Sequence, residues 1–284
     1  MTTDEVWVPP VPRHAATVCL LRDGDHGVEV FVMRRKSSMK FAPRMYVFPG
    51  GAVEDSDSSV PLAGRWALSV AAAQLFTDNP AGVIAAAARE TFEECGVLLA
   101  TSAEGDSVGS VSFLFDDQLK RERGALVADE VNFSEILNRR GLVVDDSALV
   151  PVAHWVTPEN EPRRFDARFF VAELPKGQHT YEVDEEADRT AWWRPAEAIR
   201  AWHEGTFDMW IPTASTMDLL TRGETAAQVV EAARASQVVP VRPHEVPQAD
   251  GDLAWYLVHD RTMEVLDPMD PKDMASETAV VRRT

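Results

Sequence analysis

One stretch, Asp78 to Val97, restricts what this chain can become more than any other. Asp78-Asn79-Pro80 sets a capping side chain directly before a proline. That order starts a helix, because the fixed proline φ suits the first turn and its missing N–H is not needed there. Alanines carry the helix on, and Gly96 stands where a left-handed residue closes it. Inside it, Glu90, Glu93 and Glu94 fall at i, i+3 and i+4, so they share one narrow face. Ile84, Ala88, Thr91, Phe92 and Cys95 point largely elsewhere and can pack inward. Adjacent like charges repel by roughly a few tenths of a kcal/mol per pair. A hard cation such as Mg²⁺ among oxygen ligands relieves that repulsion, and Mn²⁺ can substitute for it. From spacing alone, a solvated acidic face explains the same pattern and is the commoner case.

The remainder reads as alternating strands and helices. Ala16 to Leu21 and Val28 to Met33 are strand-like runs about an Asp23–Gly27 turn, and Tyr46 to Phe48 is a short strand broken by Pro49-Gly50-Gly51. An Ala-rich helix is expected over about 61–76, and 111–140 reads as mostly helical. Strand character returns at 150–155, 165–174 and 190–193, and helices are expected at 195–204, 211–220 and 224–235. Residues 238–241 and 254–258 are extended. The reading is a mixed α/β chain with helical additions. Cys19 and Cys95 are too few for a disulfide framework and read as small core residues.

Upstream of the acidic helix lies Phe48-Pro49-Gly50-Gly51-Ala52-Val53-Glu54. Together with Arg89-Glu90-Thr91-Phe92-Glu93-Glu94-Cys95-Gly96-Val97, it resembles the Nudix box. Gly51 takes the box's first glycine. The first glutamate of the pattern falls on Asp57, with Glu54 an acidic alternative nearby, and the whole of 58–88 stands where the pattern has seven residues. A box split in this way is similar to the Nudix branch typified by a mammalian peroxisomal coenzyme A diphosphatase. The likeness runs over roughly 15–220 and includes His154-Trp155 and Pro162-Arg163-Arg164-Phe165.

The resemblance implies an α/β (α+β) fold, a Nudix-type α/β/α sandwich with a mixed sheet, plus a helical insertion at about 58–88. It divides the chain into an arm (1–14), a Nudix domain (15–221) and a C-terminal extension (222–284). It implies Mg²⁺ on Glu90, Glu93 and Glu94, with Arg89 orienting a glutamate and Glu93 acting in catalysis. A further carboxylate is expected before Trp192, with Glu186 ahead of Glu185 as general base. Gly50, Gly51, Arg34, Arg44, Arg163 and Arg164 are the expected substrate contacts; Arg163 and Arg164 could instead pair with the surplus acids. His154 is expected to be a satisfied structural histidine, and Trp192 and Trp193 to pack.

The expected activity is Mg²⁺-dependent cleavage of a diphosphate linkage, with coenzyme A or its acyl esters as leading substrate. ADP-ribose, NADH or an oxidised nucleotide are alternatives, and a non-catalytic ligand-binding module is a reading of another class. A net charge of −18 argues against nucleic acid or an anionic membrane as partner. No run approaches a membrane span and no secretory leader is apparent, so the expected location is cytoplasmic. The insertion could shape the pocket, cap the site or mediate a homodimer.

Overall fold

The structure, a computed structural model, describes residues 7–39, 42–66, 73–103, 117–181, 187–247 and 253–269. Strands β1 (Arg13–Gly24) and β2 (Gly27–Arg35) form a hairpin whose tight turn ends on Gly27 at φ 115, a conformation that glycine adopts at little cost. β1 pairs in parallel with β8 (Phe165–Glu173) from Arg13↔Phe165 to Leu21↔Glu173. β8 pairs antiparallel with β7 (Val150–Val156). β3 (Tyr46–Val47) and β9 (Ala187–Trp193) pair with β2, and β4 (Gly50–Ala52) pairs with β1. β5 (Ala100–Ser102) and β6 (Leu142–Val144) make a separate small ladder. β10 (Pro240–Pro247), β11 (Leu253–His259) and β12 (Val265–Met269) extend the main sheet through a parallel β10–β7 pairing. The sheet is therefore mixed.

Strand alternation sends β1 side chains to opposite faces. Ala16, Val18 and Leu20 join one core, with Phe170 and the helix α1 (Pro80–Cys95). Cys19 and Leu21 join the other. There they meet α4 (Pro195–His203), α5 (Ile211–Leu219) and α6 (Ala226–Arg234). This is the α/β/α sandwich expected, and both cysteines are free and buried in it.

The insertion departs from its expected form. Leu62 bridges to Val144, and Arg65 and Trp66 donate their backbone N–H groups to Asp146, so 61–66 is extended rather than helical. Only 73–75 of that stretch is helical among the described residues. Propensity favoured helix at these alanines, but pairing with β6 satisfies the backbone at Pro61 and Ala63 instead. Between 111 and 140 the described helices are α2 (Asp117–Val127) and α3 (Phe133–Arg140), parted by a turn at Asp129, φ 57. The extension is not separate: α6 follows a bond from Val28 N to Glu224 O and another from Ala226 N to Asp23.

Arg168, buried at 1% exposure, ties the insertion to the sheet by donating to Leu75 O and Phe76 O. Asp166 balances its charge and also bonds His154 Nε2, while His154 Nδ1 is buried without a partner among the described residues, so the histidine is only half satisfied, against expectation. Burial works against the Asp166 carboxylate, but the His154 bond and Arg168 charge hold it below the usual range. A group so depressed stabilises the fold above its unfolded pKa, and that contribution fades as pH falls through the folded value. Asp166→Asn is therefore expected to lose about 2 kcal/mol in urea unfolding at pH 7. The gap from wild type should narrow below pH 4, and a gap constant down to pH 2 would contradict this.

Candidate active site

The site is built where β4 meets α1. Pro80 opens α1 after Asn79, whose side chain accepts from Gly82 N, and Gly96 closes it at φ 72. Arg123 of α2 reaches the last turn and donates to Phe92 O and Glu93 O. Glu93 O is among the carbonyls a helix end leaves without an internal partner, whereas Phe92 O also accepts from Gly96 N. Arg123→Ala should lower stability by about 1–2 kcal/mol, read as a shift in the thermal midpoint, with Arg123→Lys recovering part of it. An unshifted midpoint would remove Arg123 from the support of this helix.

Glu90, Glu93 and Glu94 all line one cavity of about 1050 Å³, together with Gly50 and Gly51. The helix face that the sequence spacing placed in register is thus the face turned to the cavity. Arg89 is 3% exposed and Asp57 1%. Arg89 Nε donates to Asp57 Oδ1 at 2.8 Å and Nη2 to Asp57 Oδ2 at 3.0 Å, a two-pronged pairing. Nη2 also donates to Ala52 O, and Nη1 to Glu90 Oε1 at 2.8 Å and Glu93 Oε2 at 3.3 Å. Asp57 Oδ2 accepts from Glu54 N as well. Burial alone would depress the guanidinium, but the Asp57 bonds and the charges of Glu90, Asp57 and Glu93 outweigh it, so Arg89 stays charged. Asp57, rather than Glu54, is therefore the carboxylate in contact with the arginine; Glu54 lines the cavity.

The two glycines allow a close approach. A Cβ on Gly51 would lie 2.2 Å from Glu90 Oε1, and one on Gly50 2.5 Å from Ala16 O. Gly50 N donates to Glu94 Oε2 at 2.6 Å. Burial pushes the Glu90 carboxyl up to about 7 against the pull of Arg89, and raises Glu93 for the same reason. Among the described residues no three carboxylate or imidazole groups close around a point, because Glu90 and Glu93 turn onto Arg89 while Glu94 turns onto Gly50. The donor set nevertheless fits a hard divalent ion: three oxygen donors on one rigid helix line one cavity, and two of them are energetically uncomfortable as bare anions.

The expected substrate contacts divide. Gly50, Gly51 and Arg163 line the cavity, whereas Arg34, Arg44 and Arg164 do not. Arg34 is paired with Asp188 at 2.7 Å, and Arg164 donates to Thr157 O and Pro10 O. Glu186 and Glu185 lie outside the described residues. Trp192 packs edge-on against Phe31, as expected. Residues not among the expected substrate contacts also form the wall: Arg13 and Arg35 at charged positions, and Met33, Phe133, Trp155, Phe169 and Trp210 at apolar ones. Strand alternation could have placed Arg13, because it shares a face with Ala15 and Thr17, which also line the cavity.

A carboxylate-bearing helix packed under a double-glycine strand on this sandwich defines a Nudix site. Residues 70–221, over half of the chain, match the NUDT19 Nudix domain, and the chain belongs to that family. It is 31% identical over 208 residues to the acyl-coenzyme A diphosphatase NUDT19 of Gallus gallus, covering 60% of this chain and 55% of that protein. To the Xenopus laevis acyl-coenzyme A diphosphatase NUDT19 it is 25% identical over 224 residues, covering 67% and 58%. The chain thus spans little more than half the length of these curated relatives. A crystal structure of a Nudix hydrolase from Alicyclobacillus acidocaldarius aligns with TM-score 0.62 and 27% identity, over 78% of this chain and 96% of that one. No helix among the described residues is long and apolar enough to cross a membrane.

Proposed function

We propose that this chain hydrolyses the diphosphate linkage of coenzyme A or an acyl-coenzyme A, giving 3′,5′-ADP and 4′-phosphopantetheine or its acyl ester, with Mg²⁺ as cofactor and Mn²⁺ as a substitute. The observation that carries this reading is the face of Glu90, Glu93 and Glu94, bordered by Gly50 and Gly51 and turned into a cavity whose other walls combine apolar side chains with arginines such as Arg13, Arg35 and Arg163. At about 1050 Å³ that cavity reaches the upper end of ordinary ligand pockets. Met33, Phe133, Trp155 and Phe169 suit a pantetheine arm and an acyl chain better than a second ribose. The names of the curated relatives point to the same substrate class.

Glu90, Glu93 and Glu94 would hold the ion. When bound, it neutralises non-bridging phosphate oxygens and activates a water. Arg89, fixed by Asp57, sets the positions of Glu90 and Glu93, and Gly50 N sets that of Glu94. The attacking water must lose a proton as its oxygen joins phosphorus and the bridging oxygen leaves. We assign that proton to Glu186. Its neighbour Ala187 lines the cavity, which supports the choice.

The test is product analysis after incubation with coenzyme A and Mg²⁺. Appearance of 3′,5′-ADP supports the reading. Intact coenzyme A beside cleaved ADP-ribose or NADH would overturn the substrate, and Mg²⁺-independent binding without turnover of any of these would overturn the enzyme.

A further inference from the structure

A second, smaller cavity of about 320 Å³ abuts the first, and Arg13, Arg163 and Phe165 line both. Its other walls are Pro10, Val11, Pro162 and Arg164, so among the described residues three arginines and no acid surround it. In a chain of net charge −18 that is a local reversal of sign.

The three arginines are not equivalent. Arg164 is spent on the fold, donating to Thr157 O and Pro10 O, and so fixes one wall. Arg13 N donates to Arg164 O, and Arg13 is registered opposite Phe165 at the head of the parallel β1–β8 pair. This leaves the Arg13 and Arg163 side chains, both exposed and neither in an ion pair among the described residues. Glu161 is the acid on the adjoining wall of the large cavity and pairs with neither. Unpaired arginines on a wall held by backbone bonds supply fork-shaped donors suited to a phosphate.

Position along the strand says which phosphate. Ala16 of β1 is opposite Gly51, which abuts Glu90. Arg13 lies three residues further along β1, about 10 Å at the usual strand rise. The Arg13 backbone thus stands back from the glutamates, in a position from which its side chain can meet a second phosphate carried elsewhere on the same nucleotide.

We propose that Arg13 and Arg163 form a subsite for a phosphate monoester on the ribose of the substrate, and that this subsite selects nucleotides that carry one. The assignment of coenzyme A rests on the proposed function above; the subsite itself can be read without turnover. Calorimetric binding of adenosine 3′,5′-bisphosphate is compared with that of 5′-AMP, for wild type, Arg13→Gln, Arg163→Gln and the double variant. Hydrolysis of coenzyme A is compared with that of its 3′-dephospho form in parallel. Wild type should favour the 3′-phosphorylated ligand by about tenfold or more in Kd, and the 3′-phosphorylated substrate through KM. Each single variant should shrink both preferences, and the double variant should erase them. Equal binding of the two nucleotides by wild type, or a preference that survives in the double variant, would overturn the subsite. A wild type that prefers the bisphosphate but cleaves neither coenzyme would keep the subsite and overturn the proposed activity. Unchanged melting curves for these exposed positions ensure that any loss is local.

Discussion

Glu93→Gln and Glu94→Gln should each lower coenzyme A cleavage by about 10²–10³-fold, the usual loss when a charged group is removed from a reacting centre. Glutamine keeps the size of the side chain and removes its charge, so packing around α1 is preserved. Both glutamates line the cavity and are only half-buried, so little stability depends on them. The two variants should differ in detail. Glu94 accepts from Gly50 N at 2.6 Å, so its replacement also loosens the double-glycine strand and should raise KM. Glu93 touches only Arg89 among these partners, and its loss should fall on kcat. The measurement is kcat and KM at several Mg²⁺ concentrations, beside a thermal melt. A lower rate with a raised Mg²⁺ requirement is expected. Wild-type rates at ordinary Mg²⁺ from both variants would move the chemistry away from this helix.

The acidic helix was readable because every signal for it is local. Asn79-Pro80 starts it, Gly96 ends it, and the i, i+3, i+4 spacing fixes which side chains share a face. The β1–β2 hairpin was readable for the same reason. What was not readable depends on contacts between distant segments. Residues 61–66 look helical by composition, yet Leu62 finds Val144 more than eighty residues away and becomes extended. Among the arginines, local sequence cannot say which are already paired: Arg34 meets Asp188 and Arg164 meets Pro10 O only in the folded chain. Alternation along β1 puts Arg13 on the face of Ala15 and Thr17, but its place beside Arg163 follows only from the parallel pairing of β1 with β8. The choice between Asp57 and Glu54 is of this kind too. Both stand near the expected position, and burial against Arg89 separates them.

That buried pair is where the second large effect is expected. Asp57→Asn should cost about 3–5 kcal/mol of folding stability, because it removes the charge opposite an arginine that cannot give up its own. The Asp57 and Arg89 side chains are 0% and 4% exposed, so water cannot replace the lost partner. Asparagine would still offer an oxygen to Arg89 Nε, but its amide nitrogen would then face both Arg89 Nη2 and Glu54 N, which now donate to Oδ2. Those two donors would lose that acceptor, and the Asp55–Ser59 turn that Glu54 begins should loosen as a result. Glu90 and Glu93 cannot make up the deficit without turning further from the cavity, so a divalent ion should bind more weakly as well. Asp57→Glu keeps the charge and restores the residue type of the Nudix pattern at this position, at the cost of one methylene in a packed site. It should recover most of the stability if the turn can shift to admit it. Urea unfolding of the three proteins, with and without Mg²⁺, separates the contributions. The expected order is wild type, then Asp57→Glu, then Asp57→Asn, with Mg²⁺ raising the midpoint least in the last. An asparagine variant as stable as wild type would mean that Arg89 is balanced by Glu90 and Glu93 alone, and that Asp57 is no substitute for the glutamate of the box.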